Sequence, residues 1–290
     1  MTTINARIAE ARHRLRDAGV GHHHAALDAR LLAQAVLGWD TTRMLTSGDV
    51  PEPPSFAEQY NGLISRRAGR EPLPYITGTR EFWNLTFEVS PDVLIPRPET
   101  EGLVEAVIEF FPERAASLRL ADVCTGSGCV AIAVAVERPN ATIVATDISA
   151  AALNVARRNA VRHSVADRVE CVLADLVGSL TGPFELIVAN PPYVPARSRT
   201  ALQPEVRNFE PQVALFGGAD GLDLIRRLLA ESVSRLEPDG YLMFEFGDGQ
   251  EMFVSELISQ TDGLRMVDIR DDLQGIARIA IVRQQLKSPL

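Results

Sequence analysis

The fold of this chain is decided by one stretch, Phe184-Glu185-Leu186-Ile187-Val188-Ala189-Asn190-Pro191-Pro192-Tyr193. Its apolar first part has the length and β-branched content of a buried strand, and the two prolines allow neither a helix nor a longer strand to follow. The chain therefore leaves the sheet at Asn190. In an open α/β sheet, a polar residue at the carboxyl end of a strand faces a ligand. An ordinary strand-ending turn is the alternative that this stretch alone leaves open.

Further apolar segments with a strand's length occur on both sides of this stretch. Helical patterns lie between several of them, as at Ala150–Val161 and Gly221–Leu236. Strand-helix alternation with short loops predicts an α/β fold with a mostly parallel seven-stranded sheet covered on both faces. The predicted strands are Arg119–Val123, Thr142–Thr146, Arg168–Leu173, Phe184–Ala189, Tyr241–Phe246, Leu264–Ile269 and Ala277–Val282.

The N-terminal part has a different pattern. Apolar residues recur at helical spacing from Ile4 to Leu45, and a further helix is predicted from Ser55 to about Ala68, which together indicate a small helical bundle. Alternation bounded by turn residues, between Glu71 and Val93, predicts a β-hairpin. We therefore expect a helical domain over residues 1–75, a hairpin connector over 76–98 and the α/β domain over 99–290.

Charge and composition restrict the partners. The 29 basic and 38 acidic residues give a net charge of −9, which argues against stable binding to a nucleic-acid backbone. Residues 1–80 hold 10 arginines and 8 acidic residues, a net of +2, so the remainder carries 19 − 30 = −11. This asymmetry suggests two modules with different partners. Without a membrane-length apolar segment or a signal-peptide pattern, we expect a cytoplasmic protein that does not bind membranes.

Neither the cysteines nor the histidines predict a metal site. Cys124, Cys129 and Cys171 lack zinc-site spacing and form no disulfide framework, so we expect buried, small apolar side chains. The run His22-His23-His24 is interpreted as a solvated helix start, because successive helical residues point in different directions.

A glycine loop follows the first strand of the α/β part. In Asp122-Val123-Cys124-Thr125-Gly126-Ser127-Gly128-Cys129-Val130-Ala131, Gly126 and Gly128 allow the backbone to approach a ligand closely. Asp147 ends the next strand, where a carboxylate can accept both ribose hydroxyls. These features predict an adenosine-containing cofactor. They also fit the loose dinucleotide fingerprint, so a nicotinamide-dependent oxidoreductase stays open, whereas a P-loop is excluded.

The glycine loop combined with Asn190-Pro191-Pro192-Tyr193 resembles the S-adenosylmethionine-dependent amino-methyltransferases. The resemblance covers nearly the whole chain and is closest to the release factor glutamine methyltransferase family (PrmC/HemK). The further motifs that resemble this family are Pro74-Tyr75-Ile76-Thr77-Gly78, Leu94-Ile95-Pro96-Arg97-Pro98-Glu99-Thr100-Glu101, Glu210-Pro211, Gly217-Gly218-Ala219-Asp220-Gly221-Leu222 and Asp272-Leu273-Gln274-Gly275.

The resemblance implies a class I, Rossmann-like methyltransferase domain. It implies S-adenosylmethionine as cofactor, S-adenosylhomocysteine as product, and as substrate the glutamine in the Gly-Gly-Gln motif of class I peptide chain release factors, methylated on its side-chain amide nitrogen (N5). The N-terminal helical domain would recognise the release factor. Cys124 departs from the family pattern, which usually has glycine there. The expected cofactor-binding residues are Cys124, Thr125, Gly126, Ser127, Gly128, Asp147, Asp175, Leu176 and Asn190.

The four residues Asn190-Pro191-Pro192-Tyr193 after the fourth predicted strand of the sheet, called the tetrad below, are expected to hold the substrate amide. The Asn190 side-chain oxygen and the Pro191 carbonyl can each accept one amide hydrogen, where positive charge develops on nitrogen. Tyr193 is expected to form an apolar wall against the amide. The predicted catalytic residues are thus Asn190, Pro191 and Tyr193, and Pro192 joins them in substrate binding.

Other functions stay open at this point. A methyltransferase acting on an adenine amine of DNA or RNA uses a similar tetrad, although the acidic α/β part counts against it. A non-catalytic partner-binding module with a relic cofactor pocket is a further alternative, which the intact Asn190 disfavours. We expect a monomer.

Overall fold

The computed structural model describes residues 2–285, which form two compact units. The first unit extends to Gly78 and also contains the return segment Gln203–Phe209. The second comprises Thr79–Leu202 and the chain from Glu210 onward. The sequence predicts continuous domains with boundaries after residues 75 and 98, and these boundaries stay predictions.

The first unit is a bundle of helices, as predicted. Local signals set the helix ends: Gly38, with a φ of 63°, ends the second helix, and Asp40 accepts a hydrogen bond from the Arg43 N–H (2.7 Å) at the start of the third. The return segment adds a short helix over Pro204–Phe209. The helices are α1 (Ile4–Asp17), α2 (His22–Leu37), α3 (Thr41–Ser47), α4 (Phe56–Ala68) and α5 (Leu73–Thr77).

A buried ion pair lies inside this unit. The Arg67 Nε donates to Asp28 Oδ2 (2.7 Å), and its Nη1 donates to Glu205 Oε1 (3.0 Å) in the return segment. The side chains of Arg67 and Asp28 are each only 7% exposed. A charge buried to this extent has little access to water, so each member of the pair depends on the other for solvation.

The second unit begins with a hairpin. Strands β1 (Thr79–Phe82) and β2 (Leu85–Glu88) pair antiparallel through the turn Trp83-Asn84. Both turn residues have positive φ, 52° and 54°, which is the two-residue type I′ geometry that matches strand twist. The Trp83 N–H is held by Glu101 Oε1 (2.8 Å). The predicted hairpin is confirmed.

A seven-stranded sheet forms the centre of the second unit, in the order β5-β4-β3-β6-β7-β9-β8. The strands from β5 to β7 are parallel, and β9 is antiparallel to both of its neighbours. The mostly parallel sheet that the sequence predicts is therefore confirmed. Its strands are β3 (Leu118–Val123), β4 (Ala141–Asp147), β5 (Val169–Leu173), β6 (Phe184–Ala189), β7 (Leu236–Glu245), β8 (Leu264–Asp271) and β9 (Ala277–Gln284).

Helices cover both faces of this sheet. Helices α6 (Glu101–Phe110) and α7 (Cys129–Glu137) pack with the hairpin into one apolar cluster, and the helices Asp223–Ser232 and Glu251–Ser259 pack into another. Helix α8 (Ala150–Arg162) connects β4 to β5. Along each central strand, successive side chains enter the two clusters in turn, which is the period of a strand buried on both faces.

The strand order brings the loops after β3, β4, β5 and β6 to the carboxyl edge of the sheet. β3 has β4 on one side and β6 on the other, so the chain reverses its winding between β3 and β6. The loops after these two strands diverge at the carboxyl edge and leave a crevice between them. The loops after β4 and β5 lie at the same edge.

One predicted helix end is wrong. The helix predicted over Gly221–Leu236 is shorter, Asp223–Ser232, because Leu236 already pairs with Phe184 and begins β7. The sequence pattern predicts this strand only from Tyr241, where its apolar run begins, whereas pairing with β6 already starts at Leu236. Within residues 2–285, the helices are too short or too polar to span a bilayer.

Arg67→Met is expected to lower the free energy of unfolding of the first unit by about 3–5 kcal/mol. Asp28 would stay buried without its charged partner, and the new side chain cannot solvate it. Urea denaturation followed by Trp39 fluorescence in a Trp83→Phe background measures the change, because Trp39 lies in the first unit.

The neighbouring Arg66 provides the matched control. It lies on the same helix, α4, and pairs with Glu71 beyond the end of that helix, but its side chain is 44% exposed. Arg66→Met is therefore expected to cost only about 0–1 kcal/mol. Equal losses for the two variants would contradict the importance of burial at Arg67.

Candidate active site

The loop after β3 leaves space at Gly126. This residue has a φ of 56°, and its N–H donates to Asp147 Oδ2 (2.9 Å). A Cβ built on Gly126 would meet no atom within 4 Å, and the residue lines a cavity at the carboxyl edge of the sheet. Glycine here lets a ligand approach the backbone closely.

Gly128 has a different role. Its φ of 81° favours glycine, and a Cβ would lie 3.0 Å from Ile132 Cδ1 and 3.2 Å from Ala156 Cβ. Gly128 is not among the cavity-lining residues. The structure therefore does not bring this predicted cofactor residue to the cavity. Its small size instead allows the loop to pack against α8.

Cys124 has a left-handed φ of 60°, which costs a non-glycine residue about 1–2 kcal/mol. Its half-buried thiol lines the cavity, where desolvation and the carboxylates of Asp147 and Asp122 raise the thiol pKa and keep it protonated. Cys129 is buried, but Cys171 is only half-buried. The expectation that all three cysteines are buried is thus wrong for Cys124 and Cys171, because each lies at the margin of the core.

Asp147 ends β4 and organises the loops on both sides. Its Oδ2 accepts the Gly126 N–H, and its Oδ1 accepts the Ser149 N–H (2.9 Å). Burial raises the pKa of this carboxyl group, and the backbone N–H bonds oppose that rise. Each oxygen keeps a further lone pair, so the carboxylate can still accept two ribose hydroxyls.

Asp122 is a site residue that the sequence interpretation missed. It is 2% exposed and lines the cavity, and its Oδ2 accepts bonds from Thr125 Oγ1 (2.5 Å) and the Ala131 N–H (3.2 Å). Burial raises its pKa to about 7. An acidic residue near the end of an apolar strand is the signal that points to it.

The remaining predicted residues of this edge meet in the same cavity. Thr125 and Ser127 line it from the glycine loop. Leu176, 3% exposed with a φ of 58°, lines it from the loop after β5. Asp175 is exposed at its margin and pairs with Arg227 (3.0 Å).

Only part of the tetrad after β6 lines the cavity. Asn190 and Pro192 line the cavity, whereas Pro191 and Tyr193 do not. The Tyr193 hydroxyl donates to Glu245 Oε1 (2.8 Å) on β7. This bond ties the ring to β7, and the role of Tyr193 as an apolar wall for the substrate stays a prediction.

A glycine-rich segment packs closely against the tetrad. A Cβ at Gly217 would collide with the Pro192 carbonyl oxygen, and one at Gly221 would collide with the Tyr193 carbonyl oxygen. Gln250 Nε2 donates to the Tyr193 carbonyl (3.0 Å). These close approaches explain why small residues lie in this motif.

The Asn190 amide has a defined orientation. Its Nδ2 donates to Thr100 Oγ1 (3.0 Å). Its Oδ1 accepts no hydrogen bond from residues 2–285 and is not among their buried unpartnered atoms, so it is accessible from the cavity. Asn190 thus offers an acceptor to a ligand.

Thr100 and Glu245 are further residues that the sequence interpretation missed. Thr100 Oγ1 donates to Glu245 Oε2 (2.6 Å), and Glu245 is 1% exposed. Desolvation raises the pKa of Glu245, whereas its bonds from Thr100 and Tyr193 and the charge of Arg278 lower it. A lone acid inside an apolar strand is again the available signal.

The cavity has a volume of about 360 Å³, within the usual range for small-ligand sites. It combines a backbone cradle at Gly126, a ribose acceptor at Asp147 and the apolar side chains of Ile148 and Leu176. Its charged residues have both signs, as a ligand with an ammonium, a carboxylate and a sulfonium requires. The residues present therefore fit S-adenosylmethionine.

A metal centre is not supported. Across residues 2–285, no three His, Cys, Asp or Glu side chains are grouped so that they could hold a metal ion. His22, His23 and His24 are exposed at the start of α2, which confirms the prediction of a solvated helix start.

Models of known protein families match both the N-terminal part and the α/β part of the chain. The family model described as PrmC N-terminal domain matches residues 7–78, and the model described as methyltransferase small domain matches residues 103–205. A solved methyltransferase structure from Pyrococcus furiosus has a TM-score of 0.51 and 19% identity, and covers 69% of this chain and 89% of that one. This likeness concerns the fold alone and agrees with the predicted Rossmann-like class.

Relatives with much higher identity cover nearly the whole chain. A release factor glutamine methyltransferase from Rhodospirillum rubrum is 40% identical over 277 residues, covering 96% of this chain and 84% of that protein. One from Geobacter sulfurreducens is 42% identical over 260 residues and covers 89% of each chain. With this identity across both units, the chain belongs to the release factor glutamine methyltransferase family.

Proposed function

We propose that this enzyme transfers a methyl group from S-adenosylmethionine to the side-chain amide nitrogen (N5) of the glutamine in the Gly-Gly-Gln motif of class I peptide chain release factors. Membership of the family supports the substrate. The observation that carries the chemistry is the accessible Asn190 oxygen, which shares one cavity with Gly126 and Asp147.

The cofactor would be held mainly by the loops after β3, β4 and β5. Thr125, Gly126 and Ser127 would approach it with backbone atoms, and Asp147 would accept the ribose hydroxyls. Cys124, Asp175 and Leu176 would border the adenosine, and Gly128 would support the loop from outside. S-adenosylmethionine, when bound, supplies a methyl group already activated by a sulfonium and becomes S-adenosylhomocysteine.

The substrate amide is a poor nucleophile, because its nitrogen lone pair is delocalised into the carbonyl group. Asn190 Oδ1 would accept one of its hydrogens at the cavity, and the Pro191 carbonyl, although Pro191 is not among the cavity-lining residues, is the proposed second acceptor. These bonds strengthen as positive charge develops on nitrogen, so they stabilise the transition state more than the ground state. After transfer, the nitrogen loses one proton to solvent and the amide is restored.

Orientation would supply much of the remaining rate enhancement. Two acceptors hold the amide plane, so the nitrogen can be presented in line with the methyl group at about 3–3.5 Å without a strong base. Pro192 would contact the substrate from the cavity side. Tyr193 would act by fixing the tetrad, since its hydroxyl bonds to Glu245.

We further propose that the helical domain over residues 1–75 recognises the release factor, that residues 76–98 connect it, and that residues 99–290 catalyse the transfer. The charge of −11 on the chain after residue 80 supports a protein substrate over stable nucleic-acid binding. The enzyme would act as a monomer in the cytoplasm.

The decisive experiment is mass spectrometry of a purified class I release factor after incubation with this enzyme and S-adenosylmethionine. A gain of one methyl group on the loop glutamine is expected. Incorporation of labelled methyl into DNA or RNA, with none in the release factor, would instead favour an adenine-amine methyltransferase.

Asn190→Ala is expected to lower kcat by about 10²–10³-fold, because the transition state loses one of its two acceptors. The dissociation constant for S-adenosylmethionine should change less than about threefold, since other loops hold most of the cofactor. Single-turnover mass spectrometry and calorimetry measure the two effects. Asn154→Ala, at an exposed position of α8, is the matched control. Near-normal turnover by Asn190→Ala would contradict the proposed role of Asn190 as a transition-state acceptor.

Asp147→Ala is expected to weaken S-adenosylmethionine binding by about 10²–10⁴-fold, because each of the two hydrogen bonds to a charged acceptor contributes about 1.5–3 kcal/mol. Calorimetry measures the affinity, and Asp167→Ala at an exposed position is the control. If Asp147→Ala binds the cofactor as tightly as the control does, the proposed ribose contact is wrong.

A further inference from the structure

Glu245 ends β7 and is only 1% exposed, so its carboxylate is buried. A carboxylate in such surroundings requires hydrogen-bond donors. Two hydroxyl groups supply them: Thr100 Oγ1 at 2.6 Å from Oε2, and Tyr193 OH at 2.8 Å from Oε1. The same carboxylate thus binds the last residue of the tetrad directly and the first, Asn190, through Thr100.

The Thr100 hydroxyl can form hydrogen bonds with both Glu245 and Asn190 in only one arrangement. It has a single proton, and that proton points to Glu245. Its oxygen can then only accept, so the Asn190 group facing it must be the donor, Nδ2. The carboxylate therefore determines, two hydrogen bonds away, that Asn190 Oδ1 faces the cavity.

This orientation matters because the two ends of an asparagine amide have nearly the same shape and opposite hydrogen-bonding character. A rotated Asn190 would present its own N–H₂ to the N–H₂ of a substrate amide. Donor would then face donor, and the site would repel the group that it has to bind. The tetrad alone does not prevent this rotation.

Thr100 is itself held firmly. It is 2% exposed and ends the short turn Pro98–Thr100 ahead of α6, and its N–H donates to the Arg97 carbonyl (3.1 Å). Proline fixes its own φ, so this segment has few conformations available. The hydroxyl consequently occupies a fixed position between β7 and the tetrad.

We propose that Glu245 and Thr100 are positioning residues that orient the Asn190 amide so that its oxygen accepts the substrate N–H. This inference rests on the proposed function. A purely structural role, in which the Thr100–Glu245 bond only ties the turn to the sheet, would affect stability without a specific effect on kcat.

The test compares Thr100→Val, which keeps the shape and removes the hydroxyl, with Thr100→Ser, which keeps the hydroxyl. Thr100→Val is expected to lower kcat for release factor methylation by about 10- to 100-fold, because the amide orientation is no longer set. The dissociation constant for S-adenosylmethionine should stay within about threefold of wild type. Thr100→Ser should recover most of the lost kcat. Thr142→Val, at an exposed position of β4, controls for the exchange itself.

Each outcome separates this inference from the proposed function. If the wild-type enzyme does not methylate the release factor, the proposed function fails and the inference fails with it. If the wild type is active and Thr100→Val has the same kcat, only the inference is overturned. A Thr100→Ser variant as slow as Thr100→Val, or a loss of cofactor affinity that matches the loss of kcat, would also overturn it. Thermal melting of all four proteins, wild type included, identifies any variant that fails to fold.

Discussion

The shape and chemistry of the turn Asn190-Pro191-Pro192-Tyr193 depend on two missing backbone N–H donors. Pro191 and Pro192 follow β6 without backbone N–H groups, so the chain leaves the sheet in a turn that carries carbonyl oxygens and no matching N–H. An acceptor-rich turn of this kind suits a ligand that brings its own N–H₂. The asparagine before the prolines completes the pattern only when its amide oxygen faces the same way. The orientation of one side-chain amide is therefore as important as its identity.

Packing around the turn maintains this arrangement. Gly217 and Gly221 allow a neighbouring segment to reach the carbonyl groups of Pro192 and Tyr193 closely, and Gln250 donates to the latter. The buried Glu245 carboxylate accepts from the hydroxyl groups of Thr100 and Tyr193. Polar groups with few alternative partners rigidify such a site, because each rearrangement would leave a buried group unsatisfied. The cavity is thus preorganised for its ligands.

The cofactor side follows the logic of parallel sheets. The loops after β3, β4 and β5 meet at one edge because all three strands run in the same direction. Asp147 uses one oxygen to hold Gly126 and the other to hold Ser149, so a single side chain shapes two loops and keeps lone pairs for a ligand. The left-handed backbone at Cys124 and Leu176 places strained residues beside the cavity, as functional sites often do.

The sequence by itself determined the strand-helix alternation, the helical N-terminal part, the hairpin, the glycine loop and the polar residues at the strand ends. These features are local, since periodicity and turn chemistry involve neighbouring residues. Only the tertiary structure decided which atoms face the cavity. Gly128 and Tyr193 turned out to pack outside it, while Asp122 and Thr100 line it. The physical reason is sequence distance: Thr100 and Glu245 lie 145 positions apart, and only folding brings them into contact.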